Sequence, residues 1–202
     1  MKNTIIKDAA ILFLITLIAG IALGGVHELT LEPIARAQEA AANETYRAVF
    51  PDMVSVNETE ELDSLVEAAE AEAGSWGYGK VSINKAMEAL DASGNVLGYI
   101  VNASGKGYNG TVEISTGISK EGKLTGLGFL EISETPGLGM RAKEPAFTGQ
   151  FPGKDASGEL GLVKTGNATD KQIDAISGAS YTSGAVHSAL NAAIYFVNNC
   201  IG

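Results

Sequence analysis

Residues 9–26 read AAILFLITLIAGIALGGV, with Thr16 the one clearly polar side chain, and no other stretch constrains the fold so strongly. As a helix this run is just long enough to cross the hydrocarbon core of a bilayer. A buried core helix of that length normally keeps a polar face, and this one has none. A cleaved signal peptide would need a small-residue site soon after the apolar run. The suitable Ala35-Arg36-Ala37 comes too late, beyond His27, Glu28, Glu32 and Pro33. The segment is therefore expected to remain as a single-pass transmembrane anchor in contact with membrane lipid. Lys2, Lys7 and the amino terminus concentrate positive charge before it, which places residues 1–8 in the cytoplasm and the rest of the chain outside.

At 202 residues the chain has room for one domain beyond such an anchor. Setting aside Lys2, Lys7 and Asp8 leaves 12 basic and 23 acidic residues, a net charge of −11 on the exported part. That balance excludes nucleic acid, whose phosphates it would repel, and docking flat onto anionic lipid. Cys200 is the single cysteine and His27 and His187 the two histidines, so neither a disulfide nor a cysteine-ligated cluster nor a histidine-rich metal site can be built within the chain. Redox chemistry would need an organic cofactor or other subunits.

Downstream of the anchor, Pro33 suits the first turn of a helix running to about Phe50, where Pro51 stops it. Such a helix would lift the domain off the membrane. Residues 27–79 thus form a helical stalk and an acidic, then glycine-rich connector, with a short helix at Glu60–Ala73 and Trp76 expected to cover a core edge. The domain proper is placed at residues 80–202. Ala86–Leu90 and Val96–Asn102 flank one hairpin turn, and Thr111–Ile118 and Leu124–Ile132 flank another, so the domain opens as an antiparallel meander. A short helix at residues 144–151 and a strand at Leu160–Lys164 follow. The last element is a helix from Ser180 to about Asn199, with Val186, Ala189, Leu190, Ala193, Ile194 and Val197 at helical spacing. The fold class is α+β.

Several motifs fail on context. Gly105-x-Gly107-x-x-Gly110 matches the dinucleotide fingerprint, but a strand follows it where a helix is required. These glycines mark a tight turn or a close backbone approach. Ser82-Ile83-Asn84-Lys85 and Lys164-Thr165-Gly166 are chance matches to elements of penicillin-recognising enzymes, with no Ser-Asp-Asn between them. Ser180 lacks the nucleophile elbow because position 182 is Thr. Of the Asn-x-Ser/Thr sequons, which include Asn43 and Asn167, none matters outside a glycosylating pathway.

One run remains, Asp174-Ala175-Ile176-Ser177-Gly178-Ala179-Ser180-Tyr181-Thr182-Ser183, where small and hydroxyl residues stand at the start of the last helix. The first amides of a helix have no intrahelical partner and carry partial positive charge, so a phosphate can sit there. An ordinary helix cap by Ser177 or Ser180 uses the same residues. The motif Asp174-x-x-Ser177-Gly178-Ala179-Ser180 resembles the flavinylation motif of the FMN-binding domain family, with Ser where Thr is usual. Glu134-Thr135-Pro136-Gly137-Leu138-Gly139 and Gly105-Lys106-Gly107-Tyr108-Asn109-Gly110 are similar to the family's other signatures and stand in the same order. The resemblance spans roughly residues 80–199. With the anchor it points to the G subunits of ion-translocating Rnf electron transport complexes, and next to the C subunits of sodium-translocating NADH:quinone oxidoreductases.

The resemblance implies FMN held covalently, a flavin transferase having joined its phosphate to Ser180. It also implies cofactor contacts from Ser177, Gly178, Ala179 and Thr182 on one side and from Glu134, Thr135, Gly137, Leu138 and Gly139 on the other. Asp174 would serve transferase recognition. The implied activity is electron relay among other subunits of a membrane complex oxidising ferredoxin and reducing NAD, with no catalytic acid or base in this chain. A non-redox extracytoplasmic ligand-binding or assembly module with the same fold is the alternative, and a simple Pro-Gly turn is the alternative for residues 134–139.

Overall fold

The computed structural model describes residues 2–164, 166 and 168–201. Thr165 of the Lys164-Thr165-Gly166 match and the sequon at Asn167 lie outside the described residues. The chain divides into two compact units, Met1–Ala42 and Asn43–Gly202.

The first unit is helical. Helix α1 (Lys2–Val49) begins there and runs through Pro33 without a break, where the sequence predicts a new helix starting at that proline. Proline's fixed φ is helical, and its cost lies in one lost backbone hydrogen bond and a clash with the preceding turn, about 3 kcal/mol. The strong helix formers around it, among them Glu32, Ala35, Arg36, Ala37 and Gln38, favour continuation. The most apolar 18-residue window of the helix has a mean hydropathy of 2.5 and is wholly unburied, so it is long and apolar enough to cross a membrane. Ala35-Arg36-Ala37 is helical rather than extended.

The second unit starts at Asn43, well before residue 80, because it includes the last turns of α1. Its sheet has the order β1-β2-β3-β4-β5, all antiparallel: Ser55–Asn57, Val81–Leu90, Val96–Lys106, Thr111–Ser119 and Leu124–Ile132. The predicted meander is present, and its first three-residue strand, β1, is an addition. Helix α2 (Glu60–Glu72) is capped by Thr59, whose hydroxyl accepts the Leu62 amide at 3.2 Å. It packs on β2 and adds Leu62 and Ala69 to the core.

Alternation assigns the two sheet faces. Val101, Ala103 and Ile114 face helix α4 (Ser180–Phe196), whose Val186, Ala189, Leu190, Ala193 and Ile194 are all buried, and Leu127 and Phe129 extend the same sheet face into the core. On the other face, the backbone of Val49 lies so near that a Cβ on Gly126 would stand 2.8 Å from it. Tyr46, Val49 and Phe50 are buried there, and Asn102 donates to the Tyr46 hydroxyl at 2.9 Å.

Between β5 and α4 come a 3-10 turn at Gly139–Lys143, the short helix α3 (Pro145–Thr148), and β6 (Gly161–Val163). Strand β6 pairs in parallel with β7 (Gln172–Asp174), which the sequence does not announce. Trp76 covers the core edge as expected, its ring 4.7 Å from that of Tyr195. Gly105 lies in β3, where a Cβ would come within 2.5 Å of the Ala185 carbonyl, and the Gly107 amide closes a turn on the Gly110 carbonyl at 2.8 Å. Both readings of these glycines hold, and with strands on either side there is no dinucleotide fold.

Candidate functional site

The amides that open α4 set the chemistry of its N-terminus. Its cap residue is Ala179, which offers no side-chain acceptor, so neither Ser177 nor Ser180 caps the helix. The hydroxyl that holds the turn is that of Ser183: it accepts the Ile176 amide and donates to the Ala179 carbonyl, both at 2.9 Å. This bond pair folds residues 176–179 back over the helix start. Gly178, at φ +81°, completes the turn in a region that side-chain-bearing residues avoid. Ser180 is left exposed at the first helical position, whereas Thr182 is 2% exposed.

The second predicted wall folds against this turn. A Cβ on Gly139 would stand 2.5 Å from Thr182 Oγ1 and 2.6 Å from Glu134 Cβ, and one on Gly178 would meet Leu138 Cδ2 at 3.3 Å. Glu134 is itself buried, and its Oε1 accepts the amides of Tyr108 at 2.8 Å and Asn109 at 3.3 Å. One carboxylate thus ties the Gly107–Gly110 turn to residues 134–139.

Between these segments lies a cavity of about 350 Å³, lined by Glu134, Thr135, Leu138, Gly139, Gly178, Ala179, Ser180 and Thr182, together with Tyr108 and Tyr181. Its size is within the range of small-molecule sites. Tyr108 and Tyr181 are 71% and 70% exposed and their rings are 5.9 Å apart at the mouth. Neither is among the expected contacts, although each stands inside a run that carries one of the motifs. An unshielded tyrosine next to a glycine turn is the signal that marks them.

Three expected residues stand apart from this cavity. Gly137, at φ +75°, shapes the turn before Leu138 and faces open space. Ser177 and Asp174 line another cavity, of about 290 Å³, with Arg141, Glu144, Gln150 and Lys164. There Gln150 brackets the Asp174 backbone, accepting its amide at 2.6 Å and donating to its carbonyl at 3.3 Å, while Asp174 Oδ1 is buried without a partner among the described residues. His187 Nε2 lies 2.7 Å from the Leu160 carbonyl and 3.1 Å from Asn191, so it is not a base for Ser180.

A third cavity, also about 290 Å³, shares Ser180 and Tyr181 with the first and is lined further by Tyr78, Lys80, Lys106, Ala185 and Ser188. Burial, and then the bond from its hydroxyl to Glu159, push the Tyr78 phenol well above its ordinary range, so it stays neutral there.

The FMN-binding domain model matches residues 107–195, a span that contains both walls of the main cavity, and the RnfG N-terminal region model matches residues 1–49. The residues present suit this cofactor: an apolar wall at Leu138 and open helix amides beside the exposed hydroxyl of Ser180. Fold and cavity together define an FMN-binding domain behind an apolar N-terminal helix. Over 98% of its length and 93% of the relative's, the chain is 32% identical to the G subunit of the Na(+)-translocating ferredoxin:NAD(+) oxidoreductase complex of Acetobacterium woodii. It is 29% identical to the G subunit of the proton-translocating ferredoxin:NAD(+) oxidoreductase complex of Clostridium ljungdahlii, over 100% of this chain and 96% of that one. The chain belongs to the family of G subunits of ion-translocating ferredoxin:NAD(+) oxidoreductase complexes. Among solved structures, the NqrC protein of Shewanella oneidensis is similar at 22% identity and a TM-score of 0.48, over 56% of this chain and 55% of that one, too distant a likeness to carry weight.

Proposed function

We propose that this chain is the flavoprotein component that relays electrons through FMN in an ion-translocating ferredoxin:NAD oxidoreductase complex, with the FMN phosphate esterified to Ser180. When bound, FMN supplies an electron carrier whose potential depends on the charges and hydrogen bonds around its ring. The protein's part is to hold it: Leu138 and Gly139 on one wall, Gly178 and Ala179 on the other, Glu134 and Thr135 at the polar edge. Thr182, buried behind Gly139, fixes the spacing of the walls.

The observation that carries the attachment site is the contrast in exposure between Ser180 and Thr182 at an uncapped helix start. A flavin transferase can reach the first hydroxyl and not the second. In the transfer, Ser180 Oγ bonds to the FMN phosphorus of a flavin-nucleotide donor, the bond from that phosphorus to the donor's leaving group breaks, and the serine proton goes to a base on the transferase. Asp174, in its separate cavity, serves transferase recognition. A covalent bond also suits a carrier outside the cytoplasm, where a dissociated flavin would be diluted beyond recovery.

The apolar part of α1 anchors the chain in the membrane. Lys2 and Lys7 on its short side place the domain outside the cytoplasm, where other subunits of the complex give and take the electrons. The full chain, purified from a host with an active flavin transferase, should be yellow, bleach on chemical reduction and recover its colour in air. A colourless chain under those conditions favours the non-redox ligand-binding or assembly module.

A further inference from the structure

Among the described residues of the second unit, the exposed large apolar side chains are Val54, Tyr108, Leu138, Leu162 and Tyr181. Tyr108, Leu138 and Tyr181 gather around the main cavity, and an exposed apolar cluster at a cavity marks a ligand groove. The two tyrosines reach it from different walls. The Tyr108 amide is held by Glu134 Oε1 at 2.8 Å, within the turn that the Gly107 amide closes on the Gly110 carbonyl, and Tyr181 stands in the first turn of α4 beside Ser180. Both backbones are therefore fixed, and the rings they carry lie 5.9 Å apart with their planes at 50°. A planar ring stacked on both faces needs its flanking rings about 7 Å apart, twice the carbon contact distance. Nothing flat enters between this pair.

We infer that Tyr108 and Tyr181 together form the stacking cover of the isoalloxazine ring, which lies against the cavity side of the pair while Leu138 completes its apolar surroundings. This deepens the FMN reading and assigns two residues outside the expected contacts, and it does not depend on how the phosphate is held. The occupant is a fused aromatic ring because the apolar surface runs from the exposed phenols down into a cavity of about 350 Å³. A docked protein subunit would need about 800 Å² on this side, more than three partly exposed side chains offer. Aromatic rings gain from offset stacking or edge contact beyond the area they bury, and a tilted pair presents one face and one edge. Tyr181 is the chain neighbour of Ser180, so one helix turn carries both the tether and half of the cover.

The test uses riboflavin, which has the ring but no phosphate, titrated into the full-length chain in detergent, prepared without a transferase, and followed by flavin fluorescence anisotropy. The wild type should bind it, and Tyr108→Leu and Tyr181→Leu should each weaken binding about two- to tenfold, the worth of an aromatic contact beyond its area. Tyr108→Phe and Tyr181→Phe should bind like the wild type, because the ring makes the contact. Val54→Ala, exposed but off the cavity, should change nothing. In the transferase-labelled chain, the neutral quencher acrylamide should reach the flavin of Tyr108→Ala/Tyr181→Ala more readily than that of the wild type. Equal riboflavin affinity in the Leu variants, or no binding by the wild type, would overturn the inference. So would weakened binding with unchanged acrylamide access, which sets the rings beside the flavin and not over it. Ser180→Ala should bind riboflavin as the wild type does, so loss of the attachment site leaves the cover standing, and failure of the tyrosine variants leaves Ser180 standing.

Discussion

Gly139 and Thr182 meet across the site, so closely that a Cβ on the glycine would stand 2.5 Å from the threonine Oγ1. They are far apart in the chain, and each belongs to a different motif-bearing run. The contact leaves no room for a side chain at 139 and buries the hydroxyl at 182. It also makes the two walls of the cavity one mechanical unit.

Gly139→Ala should therefore cost about 1–3 kcal/mol by overpacking, and any flavin attached to it should be held loosely. Gly137→Ala tests something else. Space is open there, but φ +75° is strained for a side-chain-bearing residue, at about 1–2 kcal/mol. Urea unfolding and the anisotropy of flavin fluorescence separate the two: the first variant loses stability and ring order together, the second mainly stability.

Glu134 is expected to matter as a clamp. Glu134→Ala removes the acceptor for the Tyr108 and Asn109 amides, a loss of about 1–3 kcal/mol. Hydrogen exchange at those two amides should speed up, while exchange in α4 stays slow. Glu134→Gln keeps an acceptor oxygen and should retain most of the protection.

Ser183→Ala should loosen the turn that presents Ser180. It leaves the buried Ile176 amide without its acceptor, again about 1–3 kcal/mol. Labelling by the transferase should slow in proportion, although the acceptor hydroxyl itself is untouched. Normal labelling with normal stability would mean that the turn does not depend on this bond.

Topology has its own test. A reporter active only outside the cytoplasm, fused after Gly202, should be active, and the same fusion with a reporter active only inside should be silent. The reverse result would contradict both the orientation and the site of electron relay.

The long elements were legible because their patterns are local. Helical spacing picked out Val186, Ala189, Leu190, Ala193 and Ile194, all buried in α4, and alternation with turn residues marked β2 to β5. Strands β1 and β7 have three residues each, too few to show a period. Pro33 misled because proline at a helix start and proline tolerated inside a helix look alike in sequence. At the site, the motifs supplied Ser180, Gly178, Gly139, Leu138 and Glu134. They could not supply Tyr108 and Tyr181 as its mouth, since that relation arises from the packing of α4 against the turn at Gly107–Gly110. Ser177 and Asp174 turned out to line a cavity of their own, because the turn closed by Ser183 separates them from Ser180.

The most direct measurement of the central claim is the intact mass of the denatured chain after co-expression with a flavin transferase. Wild type should weigh one FMN minus one water above its sequence and stay fluorescent. Ser180→Ala should lose both signals, Ser180→Thr should keep them, and Thr182→Ala should keep the bond, because only the exposed hydroxyl is reachable. A flavin still bonded to Ser180→Ala, or no bonded flavin on the wild type beside an active transferase, would contradict the account.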